Sequence, residues 1–234
     1  CFVFANGPSI NLLDLKKIEK YQKYGFDVIC VNSYILSDMA KTVVPNYYVL
    51  SDPLSFNISK NAIPSDYTSM NKKQIDSLDK LNIPVFIPAQ FFNLCKIKHQ
   101  YIFNDFENRF IGNIDPTKPR GYVSMTAYKS LAIACYLGYD TIYICGFDSD
   151  YFKSICVDEN NNIYYIDKHY DDDGVNRRVT PNAGKGLGNL LWEHHFLFKN
   201  MELFSDYNII HLDKNSLVDA FSKKHNLDVY VDDK

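Results

Sequence analysis

The chain has 234 residues, and its 25 Lys and Arg nearly balance its 28 Asp and Glu, which gives a net charge of −3. Proteins that bind nucleic acid usually carry a basic surface, so this balance predicts no nucleic-acid partner. Six cysteines without paired spacing predict buried free thiols in a reducing compartment. Because no apolar run approaches the roughly 20 residues that cross a bilayer, we expect a cytoplasmic protein.

Apolar strands alternate with helical segments along the chain, a pattern typical of an α/β domain. We therefore predict one domain over residues 1–234, with a Rossmann-like, doubly wound, mainly parallel sheet. The prolines of segment 83–88 place that strand at an edge of the sheet. The predicted strands are 1–5, 26–31, 46–50, 83–88, 141–145 and 207–212, and the predicted helices are 10–24, a short one through Met39, 68–80, 127–137, 189–204 and 217–221.

Small polar residues follow four of the predicted strands. Asn6, Asn32, Asp52 and Asp148 each come directly after a strand, or within three residues of its end. Side chains at the carboxyl ends of parallel strands converge on one rim of the sheet, where ligands bind in open α/β folds. Asn and Asp also favour turns for local reasons. Four together nevertheless predict a binding site at this rim.

The first turn, Asn6-Gly7-Pro8-Ser9, joins a strand to a helical segment. This arrangement presents backbone N–H groups to an anion such as a phosphate. The turn lacks the G-x-G-x-x-G pattern, so it does not indicate a nicotinamide-binding protein. A plain strand-to-helix turn is the competing interpretation.

The helix 127–137 is apolar nearly all round, which predicts packing on both sides. Ser124 and Thr126 stand at its expected N-cap, and Gly138 suits its C-terminal end because glycine tolerates positive φ. The next strand leads to Asp148-Ser149-Asp150, a D-x-D sequence that binds a divalent cation in some transferases. The triplet 171–173 could bind one likewise. We expect no metal, because charged triplets in loops are usually solvated.

Segment 152–188 reads as weakly structured, and long segments of this kind in compact domains are often lids or binding loops. Aromatic and His side chains are interleaved in it, at Tyr164, Tyr165, His169 and Tyr170. We therefore predict a mobile lid over the rim.

The order of these motifs resembles the bacterial sialyltransferases of glycosyltransferase family 42. A related group, the DUF115 or flagellin-glycosylation (Maf-type) proteins, shares the Gly-Pro-Ser turn and the Gly-x-Asp strand. The matching segments are Asn6-Gly7-Pro8-Ser9, Val31-Asn32-Ser33, Ser51-Asp52-Pro53, Gly146-Phe147-Asp148 and Asn215-Ser216-Leu217.

This resemblance implies a variant of the GT-A-like fold with a lid insertion. It implies an inverting glycosyltransferase that moves a sialic-acid-like (nonulosonate) sugar from a CMP-activated donor to a surface-glycan acceptor, without metal or a further cofactor. Tyr151, or a lid tyrosine such as Tyr164 or Tyr170, would hydrogen-bond the leaving phosphate. The donor-binding residues carried over by the resemblance are Asn6, Gly7, Pro8, Ser9, Asn32, Ser33, Asp52, Ser124, Met125, Thr126, Gly146 and Asp148.

The resemblance also implies a histidine base at the end of the lid. His194 and His195 lie near that place in a predicted helix, and either is a candidate for the base. His169, within the lid, is a less favoured candidate. A neutral imidazole suits a base at cytosolic pH. The chain departs from the family at Asp52, where the family has Asn, and at Val123, where it has an acceptor-side Arg.

Two other functions stay open. One is a DUF115/Maf-like transferase or a pyrophosphokinase with another nucleotide donor, and the other is an inactive nucleotide-sugar-binding module. The abundant aromatic residues are compatible with a homo-oligomer or a membrane-surface contact. The chain begins at Cys1 and not at Met. We therefore expect that a segment before Cys1 could attach the protein peripherally to the inner face of the membrane.

Overall fold

The computed structural model describes residues 1–56, 65–170 and 177–224, with the backbone alone described at 65–70, 177, 182 and 183. The acidic triplet 171–173 and the tail after residue 226 lie outside the described residues. Eleven strands are present in the described part: β1 (Phe2–Phe4), β2 (Val28–Val31), β3 (Tyr47–Val49), β4 (Val85–Pro88), β5 (Gln100–Phe103), β6 (Thr141–Cys145), β7 (Cys156–Val157), β8 (Ile163–Asp167), β9 (Arg177–Val179), β10 (Asn208–His211) and β11 (Ser222–Lys223).

Eight strands form one sheet in the order β11-β10-β6-β1-β2-β3-β4-β5, and each neighbouring pair is parallel. From β1 the chain winds outward through β2 to β5, then returns to the other side of β1 with β6. The winding therefore reverses between β1 and β6. In an open α/β sheet this reversal opens a crevice beyond the strand ends, where ligands bind.

Helices cover both faces of the sheet, as the sequence predicted. Strand β1 is buried throughout, and its side chains alternate between two cores: Val3 joins one, while Phe2 and Phe4 join the other. The period of two along a strand produces this division. Within the described ranges the α-helices are α1 (Leu15–Lys23), α2 (Met39–Thr42), α3 (Ser65–Leu81), α4 (Thr126–Tyr136) and α5 (Leu187–Asn200).

Helix α4 is buried continuously from Tyr128 to Cys135, which confirms the prediction of a helix packed on both sides. Gly138 follows it with φ of +83°, the left-handed conformation expected after a helix end. The predicted cap is wrong. Met125 occupies the N-cap position of α4, Thr126 is its first residue, and the exposed Ser124 makes no capping bond.

The predicted helix 10–24 divides into two elements. Residues Pro8–Leu12 form a 3₁₀ turn, and α1 begins only after Asp14. The Asp14 carboxylate accepts hydrogen bonds from the backbone N–H groups of Lys16 and Lys17 at 3.0 and 3.2 Å. This N-cap outcompetes continuation of the helix, because it satisfies two amides that a helix start leaves unpaired.

Two other predictions are wrong. Strand β4 is not at the edge, because β5 pairs with it on its outer side. Pro84 precedes β4 and Pro88 ends it, so neither removes a donor from the middle of the ladder. The predicted helix 217–221 is absent from the described residues, where turns lead to β11 instead.

The described residues of the predicted lid segment, 152–170 and 177–188, contain more regular structure than the sequence suggested. Its strands β7, β8 and β9 form a three-stranded antiparallel sheet beside the main sheet. Five of the six free cysteines are buried, and Cys156 on β7 is exposed. No helix in the described part of the chain is long and apolar enough to cross a membrane.

Candidate functional site

A first cavity of about 140 Å³ lies at the reversal point of the sheet. Its walls come from the turns after β1 and β6, the end of β2 and the start of α4. Ala5 to Pro8 form one side, and Gly146 to Tyr151 form the other. The rim predicted from the polar strand ends is therefore a real concavity in the fold.

The turns after β1 and β6 interlock tightly. A Cβ atom added to Gly7 would lie 1.8 Å from Oδ2 of Asp148 and 2.5 Å from the carbonyl oxygen of Gly146. Gly146 has φ of +76°, and a Cβ there would lie 2.3 Å from the carbonyl oxygen of Ala5. Glycine is thus required at both positions by contact between the two turns.

Ser9 and Asp148 fasten this contact. The Ser9 hydroxyl donates to Asp148 Oδ2 at 3.0 Å and accepts from the Gly146 N–H at 3.0 Å, while the Ser9 N–H donates to Asp148 Oδ1 at 3.2 Å. Burial, opposed by the hydrogen bonds from Ser9 and helped by the negative charges of Asp213 and Asp150, raises the pKa of Asp148 to about 6. Both residues were predicted to bind the donor; here they hold the turn that lines the cavity.

Two amide oxygens are buried at the cavity without a partner. Oδ1 of Asn6 and Oδ1 of Asn32 have no hydrogen-bond partner among the described residues. Their amide nitrogens are engaged, with Asn6 donating to Ser33 and Asn32 to Thr126, both at 3.2 Å. A buried unpaired acceptor costs free energy unless a ligand or water supplies a donor. The two oxygens are therefore placed to accept from hydroxyl or amino groups.

A second cavity of about 600 Å³ adjoins the first. The two share Met125, Tyr151 and His169 as lining residues, so they form one continuous cleft. A pocket of 300–1,000 Å³ is typical of small-molecule sites, and the pair of cavities together reaches that size. The second cavity is strongly polar, with lining residues that include Glu107, Arg109, Arg120, Asp167, Lys185, Glu193 and His194.

Two histidines line the second cavity, His169 and His194, and His194 is the buried one. Its side chain is 3% exposed, and its Nδ1 lies 2.9 Å from the carbonyl oxygen of Leu190, one turn earlier in α5. Because a carbonyl only accepts, Nδ1 carries a proton, and in the neutral ring Nε2 then holds the lone pair. Nε2 has no partner among the described residues. An imidazole in this state can take a proton from a bound molecule.

The structure separates the other predicted catalytic residues. Tyr151 lines both cavities, and its ring lies edge-on to that of His194 with 5.9 Å between centroids. His195 faces outward and is exposed against Trp192. Tyr170 lies instead in the core on the other face of the sheet, beside Tyr34, and lines neither cavity.

Some of the remaining predicted donor-binding residues line a cavity, and others do not. Gly7, Pro8, Met125 and Thr126 line the first cavity, and Ser124 lines the second. Ser33 lies behind Asn6, and Asp52 accepts from the N–H of Leu54 at 2.9 Å outside both linings. The departure from the family at Asp52 therefore places no extra charge in either cavity.

Several lining residues were missed in the sequence. Lys168 lines the first cavity and brings a cation to it, and Arg109 and Glu193 line the second. Nothing in the local sequence marks them, because an isolated charged residue in a loop or on a helix is usually only solvated. Among the described residues, no three His, Cys, Asp or Glu side chains are grouped so that they could hold a metal ion.

Comparison with known proteins identifies no relative. The chain matches no protein-family model, and neither curated proteins nor solved structures yield a significant match.

Proposed function

We propose that this protein is an inverting glycosyltransferase that uses a CMP-activated, sialic-acid-like sugar and transfers it to a hydroxyl group of a glycan acceptor. The observation that carries the proposal is His194, a buried imidazole whose Nε2 has no partner among the described residues. It lies in the second cavity, which adjoins the first cavity at the strand ends. The resemblance of the motif order to family 42 supports the choice of donor.

The first cavity suits the nucleotide of the donor. Ribose hydroxyls and the amino group of cytosine are hydrogen-bond donors, which the unpaired oxygens of Asn6 and Asn32 require. Lys168 offers a positive charge to the phosphate. The first cavity alone is smaller than a nucleotide, so the bound donor would extend past Tyr151 into the second cavity.

Transfer requires a base, a stabilised leaving group and protection from water. His194 Nε2 takes the proton of the acceptor hydroxyl while its oxygen bonds to the anomeric carbon. The bond from that carbon to the phosphate breaks, and CMP departs with the electron pair. Burial raises the pKa of Tyr151, so its hydroxyl stays protonated and can donate to the departing phosphate. The small sheet β7–β9 borders the cleft and limits the access of water.

The reaction would take place in the cytoplasm or at the inner face of the membrane, where nucleotide-activated sugars are made. The alternative function, a transferase or pyrophosphokinase that uses another nucleotide donor, would bind that nucleotide in the same first cavity. The D-x-D residues Asp148 and Asp150 both line the first cavity. Asp148 is already bonded to Ser9, which favours the metal-independent reaction.

Ligand-induced thermal stabilisation tests the proposal most directly. The protein is heated with CMP, CDP, UDP, GDP or ATP, each with and without Mg²⁺. A ligand at about 100 times its Kd adds about 2.7 kcal/mol of stability. We expect stabilisation by CMP that Mg²⁺ leaves unchanged, and release of CMP from a CMP-sugar when an acceptor is added.

Stabilisation by UDP or ATP only in the presence of Mg²⁺ would contradict the proposal and indicate a metal-dependent transferase or kinase. Stabilisation by CMP with no turnover of any CMP-sugar would instead indicate a nucleotide-sugar-binding module.

A further inference from the structure

Six charged side chains form a continuous chain of alternating sign between α4 and α5. The links are Lys129 to Asp105 at 2.7 Å, Asp105 to Arg120 at 2.9 Å, Arg120 to Glu107 at 2.9 Å, Glu107 to Arg109, and Arg109 to Glu193 at 2.8 Å. The chain connects the helix that borders the first cavity to the helix that carries His194.

The inner end of this chain is deeply buried. Lys129 and Arg120 are each 4% exposed, and Arg120 also donates to the carbonyl oxygen of Tyr122. Buried cations destabilise a fold unless they are paired, so Asp105 and Glu107 are required here by burial alone. Arg109 and Glu193 are only partly buried, and this explanation does not extend to them.

Arg109 contacts α5 on either side of His194 along the chain. Its Nη2 donates to Glu193, which precedes His194, and its guanidinium lies 4.2 Å from the ring centroid of Phe196, which follows two residues later. Both are favourable contacts for a guanidinium. Arg109 is itself fixed through Glu107 to the buried end of the chain.

Helix α5 begins without a capping side chain, because its N-cap residue is Gly186, which has φ of +91°. The contacts of Arg109 hold the helix at its second and third turns, where Glu193 and Phe196 lie. The hydrogen bond from His194 Nδ1 to the Leu190 carbonyl spans the same part of the helix and sets which nitrogen of the neutral ring is unprotonated.

We propose that Arg109 is a positioning residue for His194. By holding Glu193 and Phe196 it fixes the part of α5 that carries His194, and so keeps the Leu190 carbonyl under Nδ1 and Nε2 in the second cavity. The kinetic consequence rests on the proposed glycosyl transfer; the structural consequence does not.

The first test is a kinetic comparison of Arg109→Ala with Lys118→Ala. Lys118 lies in the same loop and also makes an ion pair, with Asp115, but it is exposed and does not contact α5. Misplacement of a catalytic group by about 1 Å can lower a rate about 100-fold. We expect a 10- to 100-fold fall in kcat for Arg109→Ala, a smaller change in KM for the CMP-sugar, and no change in either for Lys118→Ala. Arg109→Lys keeps the charge but loses the planar contacts, so its kcat should lie between those of Arg109→Ala and the unaltered protein.

The second test is independent of activity. The ¹⁵N chemical shifts of the His194 ring, assigned by their loss in His194→Ala, report the tautomer directly. We expect the Nδ1–H form in the unaltered protein and a mixture of the two tautomers in Arg109→Ala. Identical ¹⁵N shifts in the two proteins would overturn the positioning role, as would a kcat unchanged in Arg109→Ala. A protein that transfers no sugar but shows the tautomer change would contradict the proposed function alone.

Discussion

His194 and His195 are neighbours in the sequence but lie in opposite environments, and this contrast gives the most direct test of the proposed base. We expect His194→Ala to lower kcat by roughly 10²- to 10⁴-fold, the usual contribution of a general base. The Kd for CMP should change little, because His194 lines the second cavity and not the first. Initial rates of CMP release measure the first quantity, and titration calorimetry the second.

His195→Ala is the matched control for this comparison, since it removes the same side chain from the next position of the same helix. Its ring is exposed beside Trp192, so kcat should stay within about twofold of the unaltered value, as for a surface change. Equal loss of activity in both variants, or full activity in His194→Ala, would contradict the assignment of His194 as the base.

Gly7 is the residue on which the contact between the two turns depends. In Gly7→Ala the new methyl group meets the backbone carbonyl of Gly146 as well as the Asp148 carboxylate, and the backbone cannot rotate away as a side chain can. We expect a loss of about 1–3 kcal/mol in the free energy of unfolding, as for overpacking of a tight site. Urea denaturation measures this change.

Gly188→Ala provides the control. Gly188 lies in the first turn of α5, and nothing lies within 4 Å of an added Cβ. Because Ala favours a helix over Gly by up to about 1 kcal/mol, this variant should be slightly more stable than the unaltered protein. Destabilisation by both substitutions to the same degree would mean that the turn contact is not the cause in Gly7→Ala.

At the scale of elements, Asp14 decides where α1 begins. Its carboxylate accepts two backbone hydrogen bonds, whereas Asp38, at the N-cap of α2, makes no side-chain capping bond. We expect Asp14→Ala to reduce the free energy of unfolding by about 0.5–2 kcal/mol and Asp38→Ala to have a smaller effect. Paired thermal melts of the two variants measure the difference, and equal losses would contradict the capping role.

The elements that the sequence predicted well are those with a strong apolar signal. Strands β1 and β2 and helix α4 are buried on all sides, and their side-chain pattern has no competing explanation. Predictions failed where the signal was local. Asn215-Ser216 suggested a helix start, yet Ser216 donates its hydroxyl to the carbonyl of Phe147, a contact with another strand end that no local pattern contains.

The same distinction applies to the candidate site. The strand-end residues Asn6, Asn32 and Asp148 could be predicted, because parallel strands bring their carboxyl ends to one rim. Tyr170 could not be placed, since its ring packs into the far core through contacts with residues distant in the sequence. The contact of Arg109 with α5 could not be predicted either, because this helix begins more than 70 residues later in the chain.

At the scale of the whole molecule, the two halves of the sheet meet at the partly buried carboxylate of Asp148, which makes stability depend on pH. The pKa of Asp148 is about 6 in the folded protein and near 3.8, its ordinary value, in the unfolded chain. Between these values the folded state holds a proton that the unfolded state has lost. The contribution of Asp148 to the free energy of unfolding is therefore greatest below pH 4 and falls as the pH rises to 6, by up to about 3 kcal/mol.

Subtracting the stability curve of Asp148→Asn from that of the unaltered protein isolates this contribution, because the other carboxyl groups titrate in both. We expect the difference to fall between pH 4 and pH 6 and to level off above pH 6. Asp213→Asn should move the fall to lower pH, because the negative charge of Asp213 helps to raise the pKa of Asp148. A difference that is flat from pH 4 to pH 7, or that rises with pH, would show that Ser9 compensates the buried charge fully. The contact between the turns would then tolerate an ionised Asp148 at no cost.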